Sequence, residues 1–360
     1  MGYRYIGAKS RIVGEILPTI RSIVDPGAHI TDLMCGTAAV STVLRSHGYR
    51  VTANDLMTFS FHHARVALLF QDFPTFTSAR PFIQEYAPKI PASLFPPNPY
   101  ESILSALNNV PPRKGFFWRE YSCEGSPANG TKPRNYFSGE NAKRIDAVRE
   151  SIRDLRKQKK LTALEHSLLL HDLIMAANDV ANIAGTYGHY LSQTVIRSSE
   201  TLLLKPSKLL VGRDGKQNRV LRDYAETVAG KIQSDLCYID PPYMKRQYAA
   251  NYHILETLAR EDEPEAVGVS GLRPWRDQYS NFCTKTRIRD SFRTIFNDMK
   301  CDHFLISYSE DGLLSLSQLE DLLKEFGAVK TIEFKHKRFR SNNSPLGLHL
   351  TEYLLHLSKS

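Results

Sequence analysis

The stretch HITDLMCGTAAVSTVLRSHGYRVTAND, residues 29–55, decides the fold of this chain. Its first six residues predict a short buried strand, and the following CGTAA predicts a tight turn of small residues. Apolar residues at helical spacing come next, and Gly48 is placed to end that helix. A second strand then brings Asn54 and Asp55 to its C-terminal end. The pattern predicts a βαβ unit of an α/β, Rossmann-like sheet.

The turn and the acid after the second strand are typical of half a nucleotide site. Asp55 lies 23 residues beyond Asp32, near the ~20-residue offset expected for a carboxylate that grips ribose hydroxyls. The turn has Ala38 where a second glycine is expected, which disfavours a nicotinamide dehydrogenase. It also lacks the Gly-Lys-Ser/Thr sequence of a phosphate-binding loop. A ligand with a ribose but no phosphate suits this turn, and S-adenosylmethionine is one.

A second candidate segment lies upstream, in the sequence RYIGAKSRI of residues 4–12. Gly7 allows a ligand to approach the backbone closely. Tyr5 and Lys9 are placed to contact an aromatic ring and a carboxylate. The same residues also fit an ordinary loop before a helix over residues 12–20.

The most specific motif is Asp240-Pro241-Pro242-Tyr243, which follows a predicted strand over residues 235–239. Proline has no N–H to donate and fixes its backbone, so two in a row stop the strand. A carboxylate beside a fixed carbonyl can accept both hydrogens of an exocyclic amine, and the tyrosine ring can stack on the base that carries it. The alternative is a buried strand that ends in a Pro-Pro turn with a surface tyrosine.

Composition indicates a partner of nucleic acid. The 360 residues include 47 Lys and Arg against 38 Asp and Glu, a net charge of +9, which favours polyanion binding. We find no apolar run of ~18 residues and no signal-peptide pattern. The five cysteines are scattered without a Cys-x-x-Cys or Cys/His cluster, so neither a zinc site nor a disulfide framework is indicated. We therefore expect a reduced, cytoplasmic protein that needs no metal.

The chain organisation predicts a discontinuous domain with an insert. Residues 1–70 and 205–360 carry the sheet pattern, and residues 71–204 form a mostly helical insert with helices over 141–157 and 162–177. The early insert is basic around its aromatics, a pattern that suits DNA contact and a solvated loop equally well. Its basic residues are Arg113, Lys114, Arg119, Lys132 and Arg134.

Two further basic segments are candidates for nucleic-acid contact. The first follows the Asp-Pro-Pro-Tyr motif, and the second separates two predicted closing strands over 329–334 and 352–357. The predicted nucleic-acid residues are Arg246, Tyr248, Asn251, Lys337, Arg338 and Arg340. For His253, which lies beside the first segment, a structural polar contact is favoured over a role as general base.

Taken together, these motifs resemble the Dam-like, alpha-group family of adenine-N6 DNA methyltransferases. The resemblance covers most of the chain in the family's linear order, and two segments, residues 136–141 and 182–188, are similar to members from restriction-modification systems. The motifs that carry it are Tyr5–Lys9, Asp32–Gly36, Asn54-Asp55 and Asp240–Tyr243. The family usually shows Phe-x-Gly-x-Gly where this chain has Met34–Ala38.

The resemblance implies a function and a set of site residues. It implies methyl transfer from S-adenosylmethionine to adenine N6 in double-stranded DNA, with a cognate restriction endonuclease encoded separately. The implied catalytic residues are Asp240, Pro241, Pro242 and Tyr243. The implied cofactor-binding residues are Tyr5, Gly7, Lys9, Asp32, Gly36, Asp55 and Asp240.

Other functions stay open on the sequence alone. The same chemistry serves cytosine N4, although Ser more often replaces the acid in that group, and it also serves RNA. A catalytically silent DNA-binding protein on the same fold is a further alternative, against which the intact motif at Asp240 argues. A built-in nuclease is not indicated, because the methyltransferase pattern accounts for almost every segment.

Overall fold

A computed structural model describes residues 5, 7, 9, 12–88, 98–129, 132–242, 244–337 and 349–360. The chain divides into two compact units. The sheet unit comprises Gly7–Leu69, Asp214–Ala249 and Arg276–Ser360, and the helical unit comprises Met1–Ile6, Phe70–Arg213 and Ala250–Trp275. Within the described ranges, no helix combines the length and the apolar character that crossing a bilayer requires.

The sheet unit is built on one mixed sheet. Its described strands are β1 (His29–Asp32), β2 (Arg50–Asn54), β3 (Arg219–Leu221), β4 (Leu236–Ile239), β5 (His303–Ser309), β6 (Gly327–Lys337) and β7 (His349–Lys359). They lie in the order β3-β2-β1-β4-β5-β7-β6. The strands β3, β2, β1, β4 and β5 run parallel to one another, whereas β7 runs antiparallel to both β5 and β6.

Helices form the rest of the regular structure. In chain order they are α1 (Val13–Arg21), α2 (Ala39–Ser46), α3 (Thr58–Leu68), α4 (Arg80–Tyr86), α5 (Pro99–Asn109), α6 (Phe116–Tyr121), α7 (Gly139–Lys157), α8 (Ala163–Val180), α9 (Ala225–Ala229), α10 (Tyr248–Asn251), α11 (His253–Arg260), α12 (Ile288–Asp298) and α13 (Leu316–Lys324). Helices α1 to α3, α9, α12 and α13 belong to the sheet unit.

Both faces of the sheet are covered. Strand side chains alternate between the two faces, so Leu236 and Tyr238 of β4 enter one apolar core while Cys237 and Ile239 enter the other. Helices α1, α2 and α3 cover the first core, and α9, α12 and α13 cover the second. This is a doubly wound α/β sheet, and the predicted Rossmann-like fold class is confirmed.

The two long helices predicted in the insert are present. Helix α7 begins after Ser138, whose hydroxyl accepts a hydrogen bond from the Asn141 N–H. Helix α8 begins with a capping box between Thr162 and Glu165, in which each side chain binds the other residue's backbone N–H. These caps satisfy N–H groups that a helix start would otherwise leave without partners.

The compact units differ from the predicted domain boundaries. Residues 205–213 and Ala250–Trp275 group with the insert, not with the sheet. The second segment belongs there because α11 packs on α8 and because the turn after α11 is bonded to the insert. Arg149 Nη1 donates to the Asp262 carbonyl at 2.9 Å, and His166 Nε2 lies 2.8 Å from Glu261 Oε2.

Candidate active site

The carboxyl ends of the parallel strands meet at one edge of the sheet unit. In the register of the sheet, Asp32 of β1 lies opposite Ala53 of β2 and Tyr238 of β4. The residues just beyond these positions, including Asn54 and Asp240, therefore lie at the same edge. Ligands of open α/β sheets bind at such an edge.

The turn after β1 is held by the end of β2. The Cys35 N–H donates to the Asn54 carbonyl at 2.9 Å, and the Gly36 N–H donates to Asp55 Oδ2 at 2.8 Å. Gly36 and Ala38 have φ angles of 52° and 59°, in the left-handed region that the tight turn requires. Asp55 also accepts from the Met57 N–H at 2.8 Å, so its carboxylate fixes both loops.

Asp32 is the buried acid of this edge. Ser41 Oγ donates to Asp32 Oδ2 at 2.6 Å. Asp32 Oδ1 makes no hydrogen bond to the described residues, although the residue is 1% exposed. Burial raises the pKa of Asp32 to about 7; the Ser41 bond opposes that rise, and the Asp240 and Asp55 carboxylates add to it. A buried carboxylate oxygen of this kind suits a donor group on a ligand.

Asn54 joins the ends of three strands, a role that the sequence did not predict. Its amide Nδ2 donates to the carbonyls of Leu33 and Asp223, and its Oδ1 accepts from the Asp223 N–H at 3.1 Å. Asp223 thereby lies at the same edge as the other acids. Asp223 was not predicted as a site residue because β3, which precedes it, is only three residues long. The sequence signal for Asp223 was an acid shortly after a short apolar run.

Asp240 is paired with a buried lysine. Lys9 Nζ lies 3.1 Å from Asp240 Oδ1 and 3.3 Å from Glu352 Oε2, and the side chains of Lys9 and Glu352 are 6% and 4% exposed. Burial raises the pKa of Asp240 to about 7; Lys9 opposes this rise and the Glu352 carboxylate adds to it. Glu352 was not predicted as a site residue. The sequence signal for it was an acid within an apolar closing strand.

The segment after the motif is anchored within the sheet unit. Gln247 exchanges two hydrogen bonds with the backbone of Ser280, at 2.9 and 2.8 Å. Cys283 Sγ lies 3.4 Å from the Arg246 carbonyl, and the Arg246 residue itself is exposed. A basic side chain on a fixed backbone is well suited to contact phosphate.

Gly7 and Tyr248 lie close together in the same unit. A Cβ atom added at Gly7 would stand 3.3 Å from Tyr248 Oη, and Gly7 has a φ angle of 77°. Only glycine adopts that backbone conformation without strain, and the absence of a side chain at Gly7 leaves room for the Tyr248 hydroxyl. Its approach to a cofactor stays a prediction.

Some predicted site residues belong to the helical unit or fall outside the described residues. Tyr5 belongs to the helical unit, where its ring stacks on Tyr252 with centroids 4.8 Å apart. Asn251 is in the same unit, and its carbonyl accepts from the Tyr187 N–H at 2.8 Å. Tyr243, Arg338 and Arg340 lie outside the described residues, and Lys337 is described only as the last residue of β6. Their predicted roles stay predictions.

The basic residues of the early insert have different environments. Arg134 is fully buried, and its Nη1 lies 2.8 Å from Glu120 Oε2 while its Nη2 donates to the Gly268 carbonyl. Arg134 therefore fits neither interpretation that the sequence left open, because it is neither exposed for DNA contact nor part of a solvated loop. Lys114 lies over the Trp118 ring at 4.2 Å, a cation–π contact.

His253 has the structural role that the sequence favoured. Its Nε2 lies 3.0 Å from the Tyr187 carbonyl inside the helical unit. Burial lowers the pKa of His253 to about 3. A histidine that is neutral near pH 7 and is hydrogen-bonded to a backbone carbonyl in the interior has a structural role.

The hydrogen-bond acceptors at the sheet edge fit S-adenosylmethionine. Asp32 Oδ1 suits an ammonium or amide donor, and the Asp55 carboxylate borders the small-residue turn where ribose hydroxyls bind in related folds. Within the described part of the chain, no group of three or more His, Cys, Asp or Glu side chains is arranged to hold a metal ion.

Comparison with known proteins identifies the family. The sequence profile of the D12 class N6 adenine-specific DNA methyltransferases matches residues 5–322. The chain belongs to this family. The resemblance drawn from the sequence motifs is thereby confirmed.

Individual relatives are similar over nearly the whole chain. The type II methyltransferase M.FokI of Planomicrobium okeanokoites is 31% identical over 99% of this chain and 52% of its own length. The type II methyltransferase M.NlaIII of Neisseria lactamica is 28% identical over 94% of this chain and 93% of its own length. The chain thus spans about half the length of M.FokI and nearly all of M.NlaIII.

A solved structure, TehB from Haemophilus influenzae, aligns with a TM-score of 0.34 and 8% identity over 96% of this chain and 62% of that one. A TM-score and a sequence identity this low support no conclusion about this chain. The fold assignment stands on the strand order of the sheet unit.

Proposed function

We propose that this chain is a site-specific DNA adenine methyltransferase that transfers a methyl group from S-adenosylmethionine to adenine N6 in double-stranded DNA. The observation that carries the proposal is the half-buried Asp240 carboxylate, 17% exposed at its side chain, set just beyond the carboxyl end of β4, contacted by Lys9 and followed by two prolines, in a chain of the D12 class family. We further propose that it modifies DNA in the cytoplasm for a restriction-modification system with a separate endonuclease.

The target adenine must leave the base stack before it can reach Asp240. Rotating it out costs roughly a few kcal/mol, which phosphate contacts and stacking must offset. Arg246 is one candidate for the phosphate contacts, and Tyr243 is the candidate for stacking on the rotated base. The helical unit is our candidate for the base-edge contacts that read the DNA sequence.

Asp240 and the Pro241 carbonyl then act on the amine. Lys9 contacts Oδ1, so we assign Asp240 Oδ2 as the acceptor of one N6 hydrogen and the Pro241 carbonyl as the acceptor of the other. These two bonds draw the N6 lone pair out of conjugation with the ring. With a pKa of about 7, Asp240 can also accept the proton that N6 loses.

The remaining residues of the edge would hold the cofactor. When bound, S-adenosylmethionine supplies an activated methyl group on a sulfonium, which departs as a neutral thioether. Asp32 Oδ1 would accept from its ammonium group, and Asp55 from its ribose hydroxyls. Correct placement of the amine and the methyl group supplies much of the rate.

The test is methyl transfer from labelled S-adenosylmethionine to unmethylated duplex DNA, followed by nucleoside analysis. We expect label in 6-methyladenine. Label in 4-methylcytosine would overturn the base assignment, a preference for RNA would overturn the substrate, and no transfer would favour a silent DNA-binding protein.

A pair of variants makes the test specific to the site. Asp240→Ala should abolish transfer while the fold and cofactor binding persist. Asp302→Ala removes an exposed acid just before β5, at the opposite end of the strands, and should leave transfer unchanged. Full activity of Asp240→Ala would refute the mechanism.

A further inference from the structure

Glu352 is a buried acid at the centre of the antiparallel part of the sheet. It lies on β7, opposite Ser309 of β5 and Phe334 of β6. It is 3% exposed, and it lies beyond residues 5–322, which the family profile matches. Burying a carboxylate is costly unless a partner compensates it, so its contacts need an explanation.

The partner is Lys9, which Glu352 shares with Asp240. One ammonium group lies 3.3 Å from Glu352 Oε2 and 3.1 Å from Asp240 Oδ1. Among the described residues, the cluster therefore contains two carboxylates around one cation. Glu352 occupies at least one N–H donor of the ammonium, and its negative charge opposes the effect of Lys9 on Asp240.

The surroundings of Asp240 add no second cation from the described residues. The charged and titratable groups that act on it from the neighbouring strands and the N-terminal segment are Lys9, Glu352, Asp32 and the Tyr238 hydroxyl. Three of these four are acids. Glu352 is the one that also binds Lys9 directly, and its negative charge opposes the effect of the Lys9 charge on Asp240.

We propose that Glu352 is a positioning residue for methyl transfer: it anchors Lys9 and competes for its charge, so that Asp240 remains basic enough to accept the hydrogens of the target amine. This inference rests on the proposed function. Glu352 does not touch the substrate in this scheme and acts only through Lys9.

Removing the charge of Glu352 should make Asp240 less basic. In Glu352→Gln the amide oxygen still accepts from Lys9, but the negative charge of Glu352, which raises the pKa of Asp240, is gone. The acid limb of kcat/KM for DNA should then move to lower pH by about one unit, since charges a few ångströms away shift a pKa by about 1–3 units. At pH 6 the rate relative to the high-pH plateau should rise about fivefold, while the plateau itself falls.

The experiment compares pH profiles from pH 5 to 9 for the wild type, Glu352→Gln and Glu352→Asp. Glu352→Asp keeps the charge and should restore the wild-type limb. Glu333→Gln removes an exposed acid of β6 and serves as the matched control with no shift. A residue with only a structural role would lower the rate at every pH without moving the limb.

A second readout is independent of activity. The Asp240 carboxyl carbon is titrated by NMR in aspartate-labelled protein and assigned by its loss in Asp240→Asn. A downward shift in Glu352→Gln supports the inference, and an unchanged or upward shift overturns it. Glu352→Met must show the same downward shift, which keeps the test decisive if the glutamine variant does not fold.

The two proposals fail in different ways. A wild-type protein that transfers no methyl group to DNA overturns the proposed function, whatever the titration shows. An active wild type whose Asp240 titration does not respond to Glu352→Gln overturns the positioning role alone.

Discussion

Replacing Lys9 by Met tests the electrostatics of the site most directly. The substitution removes the cation 3.1 Å from Asp240 Oδ1 and keeps an unbranched side chain of similar length in the buried position. Asp240, whose pKa is about 7 with Lys9 present, then has only acids among the charged groups that act on it from the described residues. An opposite charge within ~4–6 Å lowers the pKa of a carboxyl by about 1–3 units, so its loss should raise the midpoint of Asp240 to roughly 8–10.

The change in rate follows from the ionised fraction. At pH 8 the ionised fraction of Asp240 should fall from about nine-tenths to between about one-half and one-hundredth. Transfer at pH 8 should therefore drop by roughly 2- to 90-fold and recover as the pH is raised toward 10. The direction is opposite to that expected for Glu352→Gln, because the two variants remove charges of opposite sign.

The assay is kcat/KM for DNA at saturating cofactor between pH 6 and 10, with Lys9→Arg as the charge-conserving control. Cofactor affinity is measured in parallel by calorimetry. An unmoved acid limb together with a weakened cofactor affinity would refute this reasoning. That result would show that Lys9 holds the cofactor, as the sequence predicted.

Three further predictions follow from buried charges. Asp32→Asn should weaken S-adenosylmethionine binding by about 10-fold or more, as expected for a lost bond between charged groups, with unchanged affinity in calorimetry as the contrary outcome. Arg134→Met should destabilise the helical unit by about 3–5 kcal/mol because it removes the fully buried cation from Glu120 Oε2. Arg119→Met removes a second cation bound to Glu120 and, because the Arg119 side chain is 44% exposed, should cost under ~1 kcal/mol; equal unfolding curves would contradict this. The folded-state pKa values of Asp32 and Asp240 are raised to about 7, so their contribution to stability is full below pH ~4 and is lost as the pH rises through 7. The melting temperature of the wild type should therefore fall over this pH window relative to that of the double variant with Asp32→Asn and Asp240→Asn. A constant difference between the two melting temperatures would argue against it.

The sequence predicted the core of the sheet unit closely. The βαβ segment around Gly48 and the strand before Asp240 fall within about two residues of their predicted positions, because alternation and a glycine helix end are local signals. Strand β3 was missed because three residues carry too little pattern. Helix α5 was missed inside a proline-rich segment, although Asn98 as N-cap and Pro99 at the first helical position were available signals.

Charge pairing was harder to predict than the elements. Arg134 was grouped with exposed basic residues, yet it is buried on Glu120. Glu352 lies more than 340 positions from Lys9 in the sequence, and only the fold brings them together. A sequence shows which residues can ionise, but it does not show which opposite charge each one meets or how much water surrounds the pair.

The two ends of the longest segment of the helical unit, Phe70–Arg213, lie close together. Within the helical unit the Gly212 N–H donates to the Phe70 carbonyl at 3.3 Å, and within the sheet unit Arg45 binds Asp214, the residue where the chain re-enters. A segment whose ends are adjacent can be lengthened, shortened or exchanged without repacking the elements that flank it. Under the proposed function, such an architecture would let DNA specificity diversify while the chemistry stays fixed. Because Ala250–Trp275 also belongs to the helical unit, a functional graft between relatives must exchange both segments together.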